Sequence, residues 1–160
     1  MKRIVGIADM IISTDPNDTL ITYALGSCLG ITIYDPLTKI GALLHVMLPQ
    51  SSIDPGKAAK NPYMFVDTGL DDMFAEFEKK GGAQKRMIVK VAGGASFKKP
   101  GENDLFEIGK RNFTMFRKVL WKKGILLKAY DVGGAVTRNI SIDLNNGAVS
   151  IRIEGVEKSL

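Results

Sequence analysis

The chain has 160 residues, of which 45% are hydrophobic and 24% charged, a balance typical of one globular domain. Its net charge of +5 is spread over small clusters, without the concentrated basic stripe that nucleic-acid binding needs. No apolar run approaches the roughly 20 residues that span a bilayer, and the basic start lacks the long apolar segment of a signal peptide. These features predict a cytoplasmic protein that neither binds nucleic acid nor inserts into a membrane.

The first third of the chain has mainly β-type patterns. Residues 4–13 alternate imperfectly between apolar and small residues, and residues 20–25 form a short β-like run. The segment 29–34 is rich in β-branched and aromatic residues, which indicates a strand. An Asp-Pro turn separates it from the apolar segment 40–48. Residues 28–48 together therefore predict a β-hairpin.

Helical periodicity occurs twice further along the chain. Residues 49–62 contain Pro, Ser, Gly, Lys and Asn and predict a loop. In residues 63–80, apolar side chains recur at helical spacing up to a Gly-Gly pair. Residues 108–123 repeat this pattern and end at Gly124. We therefore expect two main helices.

The remaining segments predict strands. Residues 86–92 and 125–132 are strand candidates, and 138–153 predict a closing hairpin around an Asn-Asn-Gly turn. We expect the last three residues to be frayed. Without repeats or a linker, residues 1–160 predict a single α+β domain with a core at about 4–153, whose helices cover one face of the β structure. The strand order is left open.

The chain contains one cysteine and one histidine, Cys28 and His45. A single cysteine excludes an internal disulfide, and structural zinc takes four ligands, so we expect no metal site. A nucleophilic cysteine needs a partner that helps to form its thiolate, and histidine suits that role because its pKa lies near neutrality. Any such dyad must therefore be Cys28 with His45, which lie on the two arms of the predicted hairpin.

The register of the hairpin decides whether the two side chains can meet. A loop over 35–39 would place Cys28 opposite Val46 and turn His45 to the other side of the sheet. A shift by one residue reverses this and could place Cys28 opposite His45. A β-bulge near one of the strand glycines would serve equally well. The sequence leaves these registers open.

The residues before Cys28 suit a reactive site. Gly26 and Ser27 leave room beside the sulfur, and a turn there can point backbone N–H groups outward as an oxyanion hole. Thr22 is a candidate to hydrogen-bond His45 and orient its ring, as the third member of a triad does. From these residues alone, the alternative remains that Cys28 is a core residue and that Thr22 and His45 are ordinary strand residues.

Several short blocks, taken in their order along the chain, resemble the CheD family. Each block is weak alone, but the ordered combination is specific and covers about residues 4–153. One departure is Ser96-Phe97, where a Met-Phe pair is expected, followed by Lys98-Lys99-Pro100. The blocks are Leu25–Cys28, Asp35-Pro36, Gly41-Ala42, His45–Pro49, Tyr63, Asp67-Thr68, Lys90–Ala95, Ile108–Asn112, Asp131–Gly134 and Arg138.

The resemblance implies a function and a site. CheD proteins deamidate glutamines on methyl-accepting chemotaxis receptors, and the implied catalytic residues are Cys28, His45 and Thr22. The implied fold is a layered α/β/β sandwich related to the catalytic domain of cytotoxic necrotizing factors. The CheC phosphatase is an implied partner, and no cofactor is implied. The reaction would pass through a thioester, a route that could also cleave a glutamyl methyl ester.

Two other functions remain as alternatives. The domain could be a non-catalytic chemotaxis module that docks on CheC or on receptor helices. It could also be a peptidase or a transglutaminase-like cysteine enzyme. Ammonia release from a receptor fragment and an amine-incorporation assay would distinguish these alternatives from a deamidase.

Overall fold

The computed structural model describes residues 1–98, 102 and 107–160. The strands in this part are β1 (Lys2–Ile4), β2 (Asp9–Ser13), β3 (Thr19–Leu25), β4 (Leu29–Tyr34), β5 (Gly41–Val46), β6 (Ile88–Gly93), β7 (Leu127–Val132), β8 (Arg138–Asp143), β9 (Ala148–Ile153) and β10 (Val156–Ser159). The helices are α1 (Pro55–Lys60), α2 (Val66–Lys79) and α3 (Ile108–Lys123). No helix in the described residues is long and apolar enough to cross a membrane.

The strands form two five-stranded sheets. The central sheet has the order β2-β5-β4-β6-β7, and the outer sheet has the order β1-β3-β8-β9-β10. Within both sheets the pairs β1–β3 and β6–β7 are parallel, and the other neighbouring pairs are antiparallel. The α+β class predicted from the sequence is therefore confirmed.

The helices pack on one face of the central sheet, as expected. Side chains of α2 and α3 form one apolar cluster with β4, β5 and β6, and Met73 and Phe77, two of the apolar residues at helical spacing in 63–80, are fully buried there. Each large apolar side chain buried in this way contributes about 2 kcal/mol. The helix-facing layer of the core is therefore built from the periodic residues seen in the sequence.

The outer sheet packs on the opposite face of the central sheet. A second apolar cluster contains Leu43 of β5 together with Leu20, Ile140 and Ile151 of the outer sheet. The neighbours of Leu43 along β5, Ala42 and Leu44, belong to the helix-side cluster, because successive strand residues point to opposite faces. By the same alternation, the next residue after Leu44, His45, points into the space between the two sheets.

The predicted hairpin is confirmed, but the register derived from a 35–39 loop is wrong by one residue. Gly30 pairs with His45, and Tyr34 pairs with Gly41. The cause is Asp35, whose N–H donates to the Ile40 carbonyl at 2.9 Å. Asp35 and Ile40 therefore extend the pairing, and only four residues remain in the turn.

The segment 49–62 is not the plain loop that its composition predicts, because it contains α1. Asp54 caps this helix by accepting a hydrogen bond from the Lys57 N–H at 3.1 Å, and Pro55 occupies the first helical position. Both features favour a helix start. The helix predicted over 63–80 correspondingly begins later, at Val66.

The expectation of a frayed C-terminus is wrong. Residues 156–159 form β10, which pairs with β9 at the edge of the outer sheet. The Leu160 N–H donates to the Val149 carbonyl at 2.9 Å, and Lys90 Nζ donates to the Leu160 carbonyl at 2.7 Å. These long-range bonds hold the polar Lys-Ser-Leu end, whose composition alone gives no sign of them.

Candidate active site

Cys28 lies half-buried in the bend that joins β3 to β4, immediately before the first residue of β4. We call residues 26–28 the Cys28 turn. The Gly26 carbonyl accepts a hydrogen bond from the Ala95 N–H at 2.9 Å, and the Cys28 carbonyl accepts one from the Gly94 N–H at 2.9 Å. The segment that follows β6 therefore holds the Cys28 turn through its backbone.

This backbone contact requires glycine at the end of β6. Gly93 has a φ of +120°, and a Cβ at this position would lie 2.1 Å from the Cys28 carbonyl oxygen. Any side chain would therefore displace the chain that carries the thiol. Gly93 and Gly94 are thus part of the backbone that surrounds the Cys28 turn.

His45 lies on β5 and is 1% exposed. Its Nδ1 lies 2.7 Å from Thr22 Oγ1, so the imidazole on the central sheet is linked to β3 of the outer sheet. This is the contact proposed for Thr22 from the sequence. The structure therefore brings the two residues together, although their catalytic roles remain a prediction.

The hydrogen bonds of Thr22 determine the tautomer of His45. Thr22 Oγ1 donates its one proton to the Val5 carbonyl at 2.8 Å, because a carbonyl can only accept. The hydroxyl must therefore accept from His45, which places a proton on Nδ1 and a lone pair on Nε2. Nε2 is buried and has no hydrogen-bond partner among the described residues. A free lone pair on Nε2 is what a general base requires.

Cys28 and His45 point to the same side of the central sheet. Cys28 packs against the apolar cluster between the sheets, and His45, which pairs with Gly30, points into the same space. They are not hydrogen-bonded to each other, because Nε2 has no partner in the described structure. A loose arrangement of this kind is common before substrate binds.

Burial keeps both groups neutral at rest. It lowers the pKa of His45 to about 4. Burial also raises the pKa of the Cys28 thiol, and the N–H of Cys28 itself opposes this rise to a lesser extent. The sequence suggested a histidine that assists thiolate formation, but desolvation outweighs such assistance here. The resting pair is a thiol and a neutral imidazole rather than an ion pair.

Two contributors to the site were missed by the sequence reasoning. The Val5 carbonyl acts through the backbone and leaves no signal in the residue type. Asn112, which was noted only as part of a family block, is fully buried and donates to the Ser27 carbonyl at 2.9 Å. The sequence pattern could have indicated this burial, because Asn112 is a polar residue on the same helical face as the apolar Phe116 and Leu120.

The described residues contain no group of three or more His, Cys, Asp or Glu side chains arranged to hold a metal ion. Cys28, His45, Thr22 and the backbone N–H groups of the Cys28 turn supply a thiol, an imidazole, a hydroxyl and hydrogen-bond donors. This set of groups is the one that cysteine-dependent hydrolases use.

Comparison with known proteins agrees with the family resemblance. The family model for CheD, described as CheD chemotactic sensory transduction, matches residues 47–153. This match begins after Cys28 and His45. A longer match is to the probable chemoreceptor glutamine deamidase CheD of Solibacter usitatus, which is 45% identical over 157 residues, or 98% of this chain and 92% of the relative. The aligned span therefore includes the segment 22–45.

Other relatives match to a similar extent. The probable chemoreceptor glutamine deamidase CheD 1 of Syntrophus aciditrophicus is 43% identical over 152 residues, 95% of this chain and 94% of the relative. The probable chemoreceptor glutamine deamidase CheD of Thermococcus kodakarensis is 38% identical, over 95% of this chain and 92% of the relative. The chain belongs to the CheD family.

Proposed function

We propose that this protein hydrolyses the side-chain amide of glutamine residues on methyl-accepting chemotaxis receptors, leaving glutamate and releasing ammonia. Its relatives are named as probable chemoreceptor glutamine deamidases, which supports the substrate class. The structural observation that carries the proposal is the Thr22–His45 hydrogen bond, which leaves a free Nε2 lone pair between the sheets.

The first chemical step forms a thioester. His45 Nε2 takes the proton of Cys28 Sγ while the sulfur attacks the carboxamide carbon, and the carbonyl electrons move onto oxygen. Burial disfavours the charged form of both groups, so a proton transfer concerted with the attack avoids a buried ion pair. The imidazolium then protonates the nitrogen, the C–N bond breaks, and ammonia leaves.

The second step releases the product. His45, neutral again, takes a proton from water, and the resulting hydroxide attacks the thioester carbon. The C–S bond breaks, the thiol of Cys28 regains its proton, and glutamate remains on the receptor. The same thioester would form from a glutamyl methyl ester with methanol as leaving group, so we include that activity in the proposal.

Backbone donors at the Cys28 turn would stabilise the oxyanion of both steps. No carbonyl in the described part of the chain accepts a hydrogen bond from the Cys28 N–H, which leaves this donor for substrate. We also include Gly26 and Ser27 in the oxyanion region. Loss of one such donor costs about 3 kcal/mol of transition-state stabilisation.

A non-catalytic chemotaxis module that docks on CheC or receptor helices is the second candidate. Burial raises the pKa of the Cys28 thiol and lowers that of His45, so the thiol is not activated at rest, and this observation favours the second candidate. Ammonia release from a receptor cytoplasmic fragment distinguishes the two functions. Wild-type protein should release ammonia in proportion to the glutamines converted, whereas the Cys28→Ser variant should release none.

We further propose that CheC and receptor helices compete for the mouth of this site. The segments 49–62 and 95–104 flank it in our proposal, although part of the second segment lies outside the described residues. Saturating CheC should suppress deamidation, and joint Lys98→Glu and Lys99→Glu changes should weaken association in a salt-dependent way. Lys99 is among the residues outside the described structure. Unchanged deamidation with CheC bound would exclude a shared surface.

The proposal also includes the domain bounds, the layering of the fold and the cellular location. We propose that residues 1–160 form a single deamidase domain with its core at about 4–153, and that it acts in the cytoplasm. The packing of helices, central sheet and outer sheet supports an α/β/β layering. A common fold with the catalytic domain of cytotoxic necrotizing factors is part of this proposal, and a structural superposition would test it.

A further inference from the structure

Asn112 is a fully buried polar residue on the sheet-facing side of α3. Its Nδ2 donates to two backbone carbonyls, that of Ser27 at 2.9 Å and that of Met47 at 3.0 Å. The opposite orientation of the amide would place Oδ1 against two carbonyl oxygens, where no hydrogen bond can form. The direction of both hydrogen bonds therefore follows from chemistry alone.

The two carbonyls belong to the segments that carry the thiol and the imidazole. Ser27 directly precedes Cys28, and Met47 follows His45 by two residues. The regular pairing of β4 with β5 ends at Leu29 and Val46. Beyond that point Asn112 connects the two segments through its side chain, in place of the sheet hydrogen bonds.

The approach of α3 to the site depends on a glycine one turn before Asn112. A Cβ at Gly109 would lie 2.5 Å from the Ala95 carbonyl oxygen and 2.6 Å from that of Gly94. Gly94 and Ala95 are the residues whose N–H groups hold the other two carbonyls of the Cys28 turn. All three carbonyls of the turn are therefore held, two by backbone and one by Asn112.

The direction of the Cys28 N–H follows from the bond to Ser27. In a trans peptide the carbonyl and the N–H point in opposite directions, so the carbonyl held towards Asn112 turns the Cys28 N–H away from α3. The same N–H opposes part of the rise that burial causes in the pKa of the Cys28 thiol, so it lies near the sulfur. It is thus placed where a hydrogen-bond donor for the oxyanion is needed.

We propose that Asn112 is a positioning residue of the deamidase, which holds the Ser27 carbonyl so that the Cys28 N–H points at the developing oxyanion. The proposal rests on the catalytic role proposed for Cys28. A second observation agrees with a functional role: Asn112 Oδ1 is buried without a hydrogen-bond partner among the described residues. Buried acceptors without a partner are rare in native proteins and call for an explanation, of which a functional role is one.

The test compares Asn112→Ala with Leu120→Ala, a matched control about two turns further along the same buried face of α3. One measurement is kcat and KM for deamidation of a receptor cytoplasmic fragment. The other is the rate of alkylation of Cys28 by iodoacetamide as a function of pH, followed by intact mass. Denaturant titrations first establish that each variant is folded, and the kinetic and alkylation measurements are then made on the folded protein.

Asn112→Ala should lower kcat about 100-fold, the loss typical for one oxyanion donor, with KM little changed because the donor acts in the transition state. Its alkylation profile should move to higher pH, since the N–H no longer faces the sulfur. Leu120→Ala should unfold at lower denaturant yet keep the wild-type kcat and profile. If Asn112→Ala does not fold, Asn112→Ser replaces it in the test, because serine keeps one hydrogen-bond donor. This variant should show a smaller loss of kcat and a smaller shift of the alkylation profile.

Equal kcat and equal alkylation profiles in the Asn112 and Leu120 variants would overturn the proposal. The alkylation measurement does not depend on deamidation, so the positioning role of Asn112 and the proposed deamidase function can be refuted independently. If wild-type protein deamidates nothing, the proposed function fails, and a profile shift in Asn112→Ala still supports the positioning of the Cys28 N–H.

Discussion

Thr22 Oγ1 and His45 Nδ1 lie 2.7 Å apart across the space between the two sheets, and this contact determines which ring nitrogen carries the proton. The Val5 carbonyl accepts the hydrogen bond that the threonine hydroxyl donates. The hydroxyl is thereby left as an acceptor, and His45 keeps its lone pair on Nε2. The backbone carbonyl of Val5, the residue after β1, thus influences the acid–base chemistry of a residue on the central sheet.

Replacing Thr22 should reduce activity through the histidine. Thr22→Val keeps the shape of the side chain but removes the hydroxyl, so Nδ1 loses its acceptor and both tautomers become populated. We expect kcat to fall about tenfold, a fraction of the 10²–10⁴ that acid–base catalysis contributes. Thr22→Ser keeps the hydroxyl and should retain near-wild-type kcat. Equal activity of the valine and serine variants would contradict the assigned role.

The buried imidazole should make the fold sensitive to mild acid. The pKa of His45 is lowered to about 4, against about 6.5 in an unfolded chain. As the pH falls through this window, the unfolded state binds the proton first, so stability is lost between about pH 6.5 and 4. The expected loss of unfolding free energy is about 3 kcal/mol.

Urea titrations at pH 7, 5 and 4 measure this loss. His45→Asn has no group that titrates in the window, so its unfolding free energy should fall by about 3 kcal/mol less than that of the wild type. Parallel pH dependence of the two proteins would show that His45 is readily protonated in the folded state.

Cys28 should react slowly with alkylating agents at neutral pH. Burial raises the pKa of its thiol, and His45 does not form an ion pair with it at rest. The alkylation rate should therefore keep rising with pH beyond the ordinary thiol range, and His45→Gln should not change the profile. Rapid alkylation that is constant below pH 7, and lost in His45→Gln, would instead indicate a preformed thiolate–imidazolium pair.

The hairpin that carries the site should depend on Asp35. Its fully buried carboxylate accepts a hydrogen bond from Arg86 at 2.7 Å and another from the Ala83 N–H at 3.0 Å. The Arg86 guanidinium holds the pKa of Asp35 well below its usual range, so the stabilisation is present above about pH 4 and is lost below it.

Asp35→Ala should lower the unfolding free energy by about 3 kcal/mol at pH 7, as measured by denaturant titration. Glu76→Ala is a control, because it removes a surface pair in which the atoms are 3.9 Å apart, and should cost less than about 0.5 kcal/mol. Losses of equal size in the two variants would refute the stabilising role of the buried pair.

Much of the arrangement could be predicted because it rests on local patterns. With one cysteine and one histidine in the chain, any Cys–His dyad had to be Cys28 with His45, and its catalytic role stays a prediction. The helix 108–123 was predicted with the bounds of α3, because its periodicity and its terminal glycine agree. The hairpin likewise followed from two apolar runs around an Asp-Pro turn.

The missed features depend on contacts between distant residues. The register error came from Asp35, which looks like a turn residue but is held in the fold by Arg86, 51 positions away. The ordered C-terminus depends on pairing with β9, and the tautomer of His45 depends on a carbonyl near the N-terminus. Such contacts have no signature in short stretches of sequence.

The central claim is that Cys28 converts receptor glutamines to glutamates, and the most direct test is mass spectrometry of a receptor cytoplasmic fragment incubated with the protein. The account predicts a gain of about 1 Da at each converted glutamine, as amide hydrolysis through a thioester requires. Cys28→Ser, equally folded, should leave every peptide mass unchanged. Unchanged masses with the wild-type protein, or conversion by Cys28→Ser at the wild-type rate, would contradict the account.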